Sequence, residues 1–210
     1  MSIAIDIVHQ DASFVIVNKP AGLLSVPGRG PDKQDCVSAR VQQAFSDALI
    51  VHRLDMETSG LMVFARGLAA QRALSRAFEQ RVVDKCYEAI VSGLVADDAG
   101  HIDLPLITDW PNRPRQKVDV DLGKPSTTLY RVLERDLSQR TTRVELTPIT
   151  GRSHQLRVHF MSLGHAIIGD SLYAPPDVAV APRLMLHARV IAFPHPVHAD
   201  RREFVCSTPF

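Results

Sequence analysis

Short unbroken apolar runs alternate along this chain with stretches of proline, glycine and charge. Phe14-Val15-Ile16-Val17 is one such run, stopped by Asn18-Lys19-Pro20-Ala21-Gly22, where proline and glycine so close together force a turn. Leu61-Met62-Val63-Phe64-Ala65 is another, and it predicts a strand from about 60 to 65. Beyond it Ala69, Ala73, Leu74, Ala77 and Phe78 recur at helical spacing, so a helix is expected over 68–81, with Arg72, Arg76 and Arg81 among its positions. Further helices are expected over 37–49 and 153–163, the second stopped by Gly164. Further strands are expected over 85–92, 128–134, 142–147, 183–193 and 203–206. Strands outnumber helices and do not alternate strictly with them. The pattern therefore predicts an α+β fold with a central mixed, largely antiparallel sheet flanked by helices and loops.

One stretch breaks the pattern. Residues 103–125 hold prolines at 105, 111, 114 and 125, the only tryptophan at 110, and the cations Arg113, Arg115 and Lys117. A tryptophan needs something to pack on or to stack against, so this reads as a long functional loop or a hairpin rather than a linker. The plain alternative is a structural hairpin with Trp110 in a minor core.

Composition narrows the class. A chain of 210 residues, 45% of them apolar, can build a substantial core, and no repeat, low-complexity tract or linker interrupts it. One domain over 1–210 is the expectation. No apolar run approaches the roughly 18 residues that span a bilayer, and the opening MSIAIDIVHQDASF lacks a basic signal region. A cytoplasmic protein away from the membrane is expected. Cys36, Cys86 and Cys206 lie far apart, which argues against a disulfide framework and against a cysteine-built zinc site. The net charge is +1, so bulk electrostatics alone would not have pointed to nucleic acid. Any RNA bound here must be met by arginines gathered on one face and read mainly by shape.

Candidate chemistry begins at His52-Arg53-Leu54-Asp55, which runs on through Met56-Glu57-Thr58-Ser59-Gly60 into the apolar strand. Asp55 either caps a turn or pairs with Arg53, or else is a catalytic carboxylate held by the turn. A hundred residues on comes Gly151-Arg152-Ser153-His154-Gln155-Leu156-Arg157-Val158-His159, followed by Gly164-His165, Gly169-Asp170 and Tyr173. Arg152 and Arg157 are five apart, and on a helix they would point in different directions. They are either two solvated arginines or two cations with separate tasks, one for a carboxylate and one for a phosphate. Among nine histidines, His154 and His159 lack the i, i+4 spacing of a helical zinc pair, and no His-Glu-x-x-His occurs, so no metal site is expected. A kinase-type His-Arg-Asp loop and a Gly-x-Ser-x-Gly elbow are absent as well.

Taken in order, Asn18-Lys19-Pro20 with Gly22-Leu23, HRLDMETSG, Lys85-Cys86-Tyr87, TGRSHQLRVH and Leu186-His187-Ala188 closely resemble the RluA family of RNA pseudouridine synthases. The likeness runs from about residue 5 to residue 210. It implies the pseudouridine synthase fold and isomerisation of uridine in RNA, with RNA as partner, no obligate protein partner and a monomeric enzyme. It further implies that Asp55 is the essential aspartate, that Tyr87 stacks on the target base and that Arg157 pairs with the aspartate. Arg53 enters the RNA stack as the uridine swings out, Leu156 lines the base pocket, and Arg152 contacts a phosphate. Members with an N-terminal S4 domain need several dozen residues ahead of the Asn-Lys-Pro turn. Only seventeen precede Asn18, so a single catalytic domain without S4 is expected. The segment 104–117 resembles the short, dual-specificity type acting on 23S rRNA and tRNA, which makes Trp110, Arg113, Arg115 and Lys117 the expected RNA-binding loop.

The chemistry agrees with those roles. Breaking the N1–C1′ bond, turning the uracil and rejoining it through C5 gains and loses no atom, so no cofactor is expected. The base must leave the stack to be reached, which calls for an aromatic face and a planar cation to fill the gap. A carboxylate can attack C1′ or C6, or remove a sugar proton, and the residues leave those routes open. The rival from another class is a non-catalytic RNA-binding or RNA-chaperone module on the same scaffold.

Overall fold

The run Phe14–Lys19 forms strand β2 and the run Ser59–Arg66 forms strand β4, paired antiparallel with Ile16 opposite Val63 and Lys19 opposite Gly60. Both strands are buried on both faces, which is why they read as continuous apolar runs rather than as alternation. A computed structural model describes residues 5–198 and 200–210 of the chain; the first four residues of the opening MSIAIDIVHQDASF lie outside them. The chain divides into two compact units, residues 1–85 with 188–209, and residues 86–187 with 210.

In the first unit, β1 (Asp6–Gln10), β2, β4 and β11 (Leu186–Pro194) lie side by side in that order. Strand β3 (Ala48–Ile50) also pairs with β4, and β12 (Arg201–Val205) with β11. Helix α1 covers Val37–Ala44 and helix α2 Gly67–Glu79. Ala70, Leu74 and Ala77 form the buried stripe of α2, packed with Phe14, Ile16, Leu61, Val63 and Phe193. The helix expected over 37–49 is therefore shorter: the chain leaves helical geometry at Phe45, and Ala48–Ile50 is taken up as a strand against Arg66, Ala65 and Phe64. Tertiary pairing overrides the local pattern there.

The second unit orders β5 (Asp84–Ser92, which begins in the first unit), β10 (Thr141–Pro148), β9 (Thr127–Asp136) and β6 (Ala99–Asp103). Residues of β10 alternate strictly between half-buried and buried, the signature of a strand with one face on a core. That core joins Val91, Val144, Leu146, Phe160 and Ile167, with helix α3 (Gln155–Ser162) contributing Leu156 and Phe160. A short helix α4 follows at Pro176–Ala179. The pairs β1–β2, β2–β4, β3–β4 and β11–β12 of the first unit are antiparallel, as are β5–β10, β9–β10 and β6–β9 of the second. The α+β expectation holds.

The irregular segment is a hairpin. Strands β7 (Leu106–Thr108) and β8 (Gln116–Val118) pair antiparallel around a tip that includes a 3₁₀ turn over Trp110–Asn112. Trp110 stays 64% exposed, so it is not in a minor core. Its ring instead carries the Arg113 guanidinium, 4.1 Å from the ring centroid.

Candidate active site

Asp55 sits on the irregular stretch just ahead of β4, half-buried, and its own carbonyl accepts the Thr58 N–H at 3.2 Å. Its neighbours are fixed on both sides. The buried Ser25 hydroxyl donates to the Leu54 carbonyl at 2.6 Å and accepts the Leu54 N–H at 3.1 Å. On the other side the fully buried Lys19 ammonium donates to the Met56 carbonyl at 2.7 Å, and also to Leu23 at 2.7 Å and Pro20 at 2.8 Å. The Gly22 N–H reaches the same Met56 carbonyl at 2.9 Å. Thus the Asn18-Lys19-Pro20 turn clamps the backbone that carries the acid. The backbone on either side of the carboxylate is thereby fixed.

Two more residues complete the clamp. The His52 imidazole stacks on Phe78, with ring centroids 4.6 Å apart, and accepts the Val63 N–H at 3.0 Å. Burial, helped by the Lys85 charge, pushes its pKa down to about 3, so this histidine holds shape and takes no proton near neutrality. Gly60 has φ +114°, and a Cβ there would lie 2.3 Å from the Ala188 carbonyl oxygen. Only glycine lets β4 approach β11 so closely. Arg53, next to Asp55, is exposed.

The second unit carries the remaining expected residues. Tyr87 on β5 is half-buried and packs against the cluster that contains Leu156, so these two share one apolar wall. Arg157 and Arg152 part company, because only Arg157 lies on α3. Arg152 lies in the exposed turn before α3, with its backbone N–H on the Gln155 side chain at 3.0 Å. Arg157 is 3% exposed and makes a two-pronged pair with Asp170, Nε to Oδ2 at 2.8 Å and Nη2 to Oδ1 at 2.6 Å. Asp170 also accepts the N–H groups of Leu172 and Tyr173. Its place as the anchor of Arg157 is not apparent in the sequence, although the Gly169-Asp170 step is visible there. A buried arginine usually needs such a fork-shaped carboxylate, and that requirement was the available signal.

Gln155 ties the motif together. Its carbonyl oxygen accepts from Thr150 and from the Arg152 backbone, while its amide donates to Thr127 and Thr128. His159 is fully buried between Thr128 and the Leu104 carbonyl, and burial lowers its pKa. These histidines build structure. Among the described residues no group of three or more His, Cys, Asp or Glu side chains could hold a metal ion.

A half-buried carboxylate on a clamped loop and a buried arginine held by its own carboxylate are thus both carried on an α+β scaffold. The chain belongs to the RNA pseudouridylate synthase family, whose model matches residues 13–162. The dual-specificity RNA pseudouridine synthase RluA of Pasteurella multocida is 51% identical over 207 residues, which cover 98% of this chain and 94% of that protein. The enzyme of the same name from Yersinia pestis is 52% identical over 205 residues, 97% of this chain and 99% of the relative. That from Escherichia coli K12 is 50% identical over 205 residues, covering 97% and 93%. Among solved structures, human RNA pseudouridylate synthase domain containing 1 superposes with a TM-score of 0.83 at 29% identity, over 98% of this chain and 84% of that one. Human RNA pseudouridylate synthase domain containing 4 gives 0.78 at 28%, over 97% and 88%. The chain is thus an RNA pseudouridine synthase, and the non-catalytic reading is not favoured.

Proposed function

We propose that this enzyme isomerises uridines in a 23S rRNA hairpin loop and in the tRNA anticodon stem-loop, with Asp55 as the catalytic carboxylate. The observation that carries the assignment is the clamp: Leu54 and Met56, on either side of Asp55, are pinned by buried Ser25 and Lys19. A residue that merely caps a turn has no use for so much fixed backbone around it. The relatives' shared name, dual-specificity synthase, supports two RNA targets.

In the reaction the N1–C1′ bond breaks, the uracil rotates and a C5–C1′ bond forms; C5 releases its hydrogen to solvent and N1 gains one. Asp55 acts at C1′ or C6 as a nucleophile, or at the sugar as a base. Tyr87 supplies the face on which the extruded uracil stacks, with Leu156 beside it, and Arg53 fills the space the base vacates. Arg157, its Nε–Nη2 edge held by Asp170, serves as the arginine partner of the aspartate. Arg152 meets a phosphate, and the hairpin residues Trp110, Arg113, Arg115 and Lys117 grip the flanking RNA. The whole chain serves as one catalytic domain, working as a monomer in the cytoplasm without a cofactor. None of the described helices is long and apolar enough to cross a membrane.

Release of tritium from RNA labelled at uridine C5 tests the assignment, with wild type and Asp55→Ala assayed on a tRNA and on a 23S fragment. Wild type should release label from both RNAs, and the variant should bind RNA while releasing none. Label released by Asp55→Ala at the wild-type rate would remove Asp55 from the chemistry. Release from one RNA only would reduce the dual target to that one.

A further inference from the structure

Tyr173 touches both the basic hairpin and the helix bearing Arg157. It is 6% exposed and packs in a cluster with Leu106 of β7 and Val158 of α3, joined by Val118 of β8. Its hydroxyl lies 2.8 Å from the Gln116 backbone nitrogen and 2.6 Å from His154 Nδ1. A backbone N–H can only donate, so the hydroxyl oxygen accepts from Gln116 and makes its other hydrogen bond with His154 Nδ1. His154 adopts a left-handed backbone conformation (φ 55°) and is the residue that turns the chain into α3. The hydrogen-bond line therefore runs from the hairpin strand through one phenol to the start of the helix that carries Leu156 and Arg157.

The ring makes a second connection. The Arg157 guanidinium lies 5.1 Å from its centroid and the Arg115 guanidinium 5.5 Å. The Tyr173 N–H also shares the carboxylate oxygen of Asp170 that Arg157 Nη2 engages. Each end of this chain of contacts bears chemistry: an exposed Trp110 with Arg113 on its face at one end, a buried arginine at the other.

We propose that Tyr173 is a positioning residue that locks the β7–β8 hairpin to Arg157, so that RNA held by the hairpin sets the geometry of that arginine. This inference rests on the proposed function, in which the hairpin binds RNA and Arg157 serves the site. Its consequence is that RNA grip at the hairpin contributes to the rate of the chemical step as well as to affinity, through one phenolic hydroxyl. An error of an ångström in a substrate-positioning group can cost up to about a hundredfold in rate, so loss of this one link should be felt at the site.

The test is a double-mutant comparison by single-turnover C5-tritium release at saturating enzyme, with filter binding for affinity. Tyr173→Phe deletes one oxygen and should lower the rate about tenfold with affinity within about twofold. Arg113→Ala should lower both rate and affinity in the Tyr173 enzyme. In the Tyr173→Phe background it should still weaken binding but take nothing further from the rate. Rate losses that simply multiply, or a Tyr173→Phe enzyme at full rate, would overturn the coupling. His154→Asn, which suits the left-handed backbone and removes the imidazole partner of the phenol, approaches the same link from the other end and should give the same pattern. Should Tyr173→Phe melt at assay temperature, that second variant decides. A wild-type enzyme that releases no label overturns the activity reading itself, and that outcome differs from active enzymes with independent losses.

Discussion

The imidazole of His52 stays neutral where most histidines would not. Burial lowers its pKa from 6.5 to about 3, whereas the unfolded chain takes up a proton below about 6.5. Stability from this group is therefore complete above pH 6.5 and is lost as pH falls from there toward 3, because the unfolded state binds the extra proton. By pH 5 the loss is roughly 2 kcal/mol, and buried His159 adds to it in the same direction. His52→Gln keeps an acceptor for the Val63 N–H without the titration. Urea unfolding at pH 7 and pH 5 should show wild type losing roughly 2 kcal/mol more than this variant. Parallel losses would mean that the acid sensitivity belongs to other groups. The Arg157–Asp170 pair is a different kind of residue-scale device. Removal of one partner from such a buried pair typically costs about 3–5 kcal/mol, so the motif arginine and its carboxylate stand or fall together.

At the scale of elements, β4 depends on the glycine at its start. Gly60→Ala would force a Cβ against the Ala188 backbone at a φ that side chains rarely adopt. We expect a loss of about 3 kcal/mol, seen as a Tm lower by ~10 °C, with the Asp55 loop loosened as well. A variant that melts with wild type would show that β4 and β11 can separate without cost. The same elements show what the sequence disclosed. Strands β2 and β4 and helix α2 were legible because their apolar residues are buried on both faces or at helical period. Strand β1 is nearly all exposed, β3 is three residues long, and β6 is a mostly exposed partner of β9, so none carries a periodic signal of its own. Strand β11 starts at Leu186 rather than 183: Arg183 lies in a bend, and Leu184 and Met185 are irregular. At the site, the motif residues were visible by type and spacing. Their anchors were not: Asp170 for Arg157, Ser25 and Lys19 for the Asp55 loop, and Tyr173 for the hairpin act through distant backbone that only the folded chain supplies.

For the whole molecule, a net charge of +1 limits how RNA can be held. Many cations are already spent on carboxylates: Arg135 on Asp98, Arg131 on Glu145, Arg143 on Glu88, Arg66 on Asp47. Affinity should then come from stacking and shape, with only a handful of phosphates neutralised. The plot of log affinity against log salt should have a slope shallower than about −4; a slope near that of a strongly basic binder would refute shape-led recognition. The three-carbonyl cradle around Lys19 has a practical consequence of another kind. Of the five lysines, at positions 19, 33, 85, 117 and 124, Lys19 shows no surface to solvent, and its ammonium is already surrounded by acceptors. Amine-reactive acylating reagents will mark the exposed lysines of the native enzyme at once and spare Lys19. Its slow acylation is a clock for the opening of the loop that carries Asp55, one that a mass spectrometer can read without any RNA in the tube.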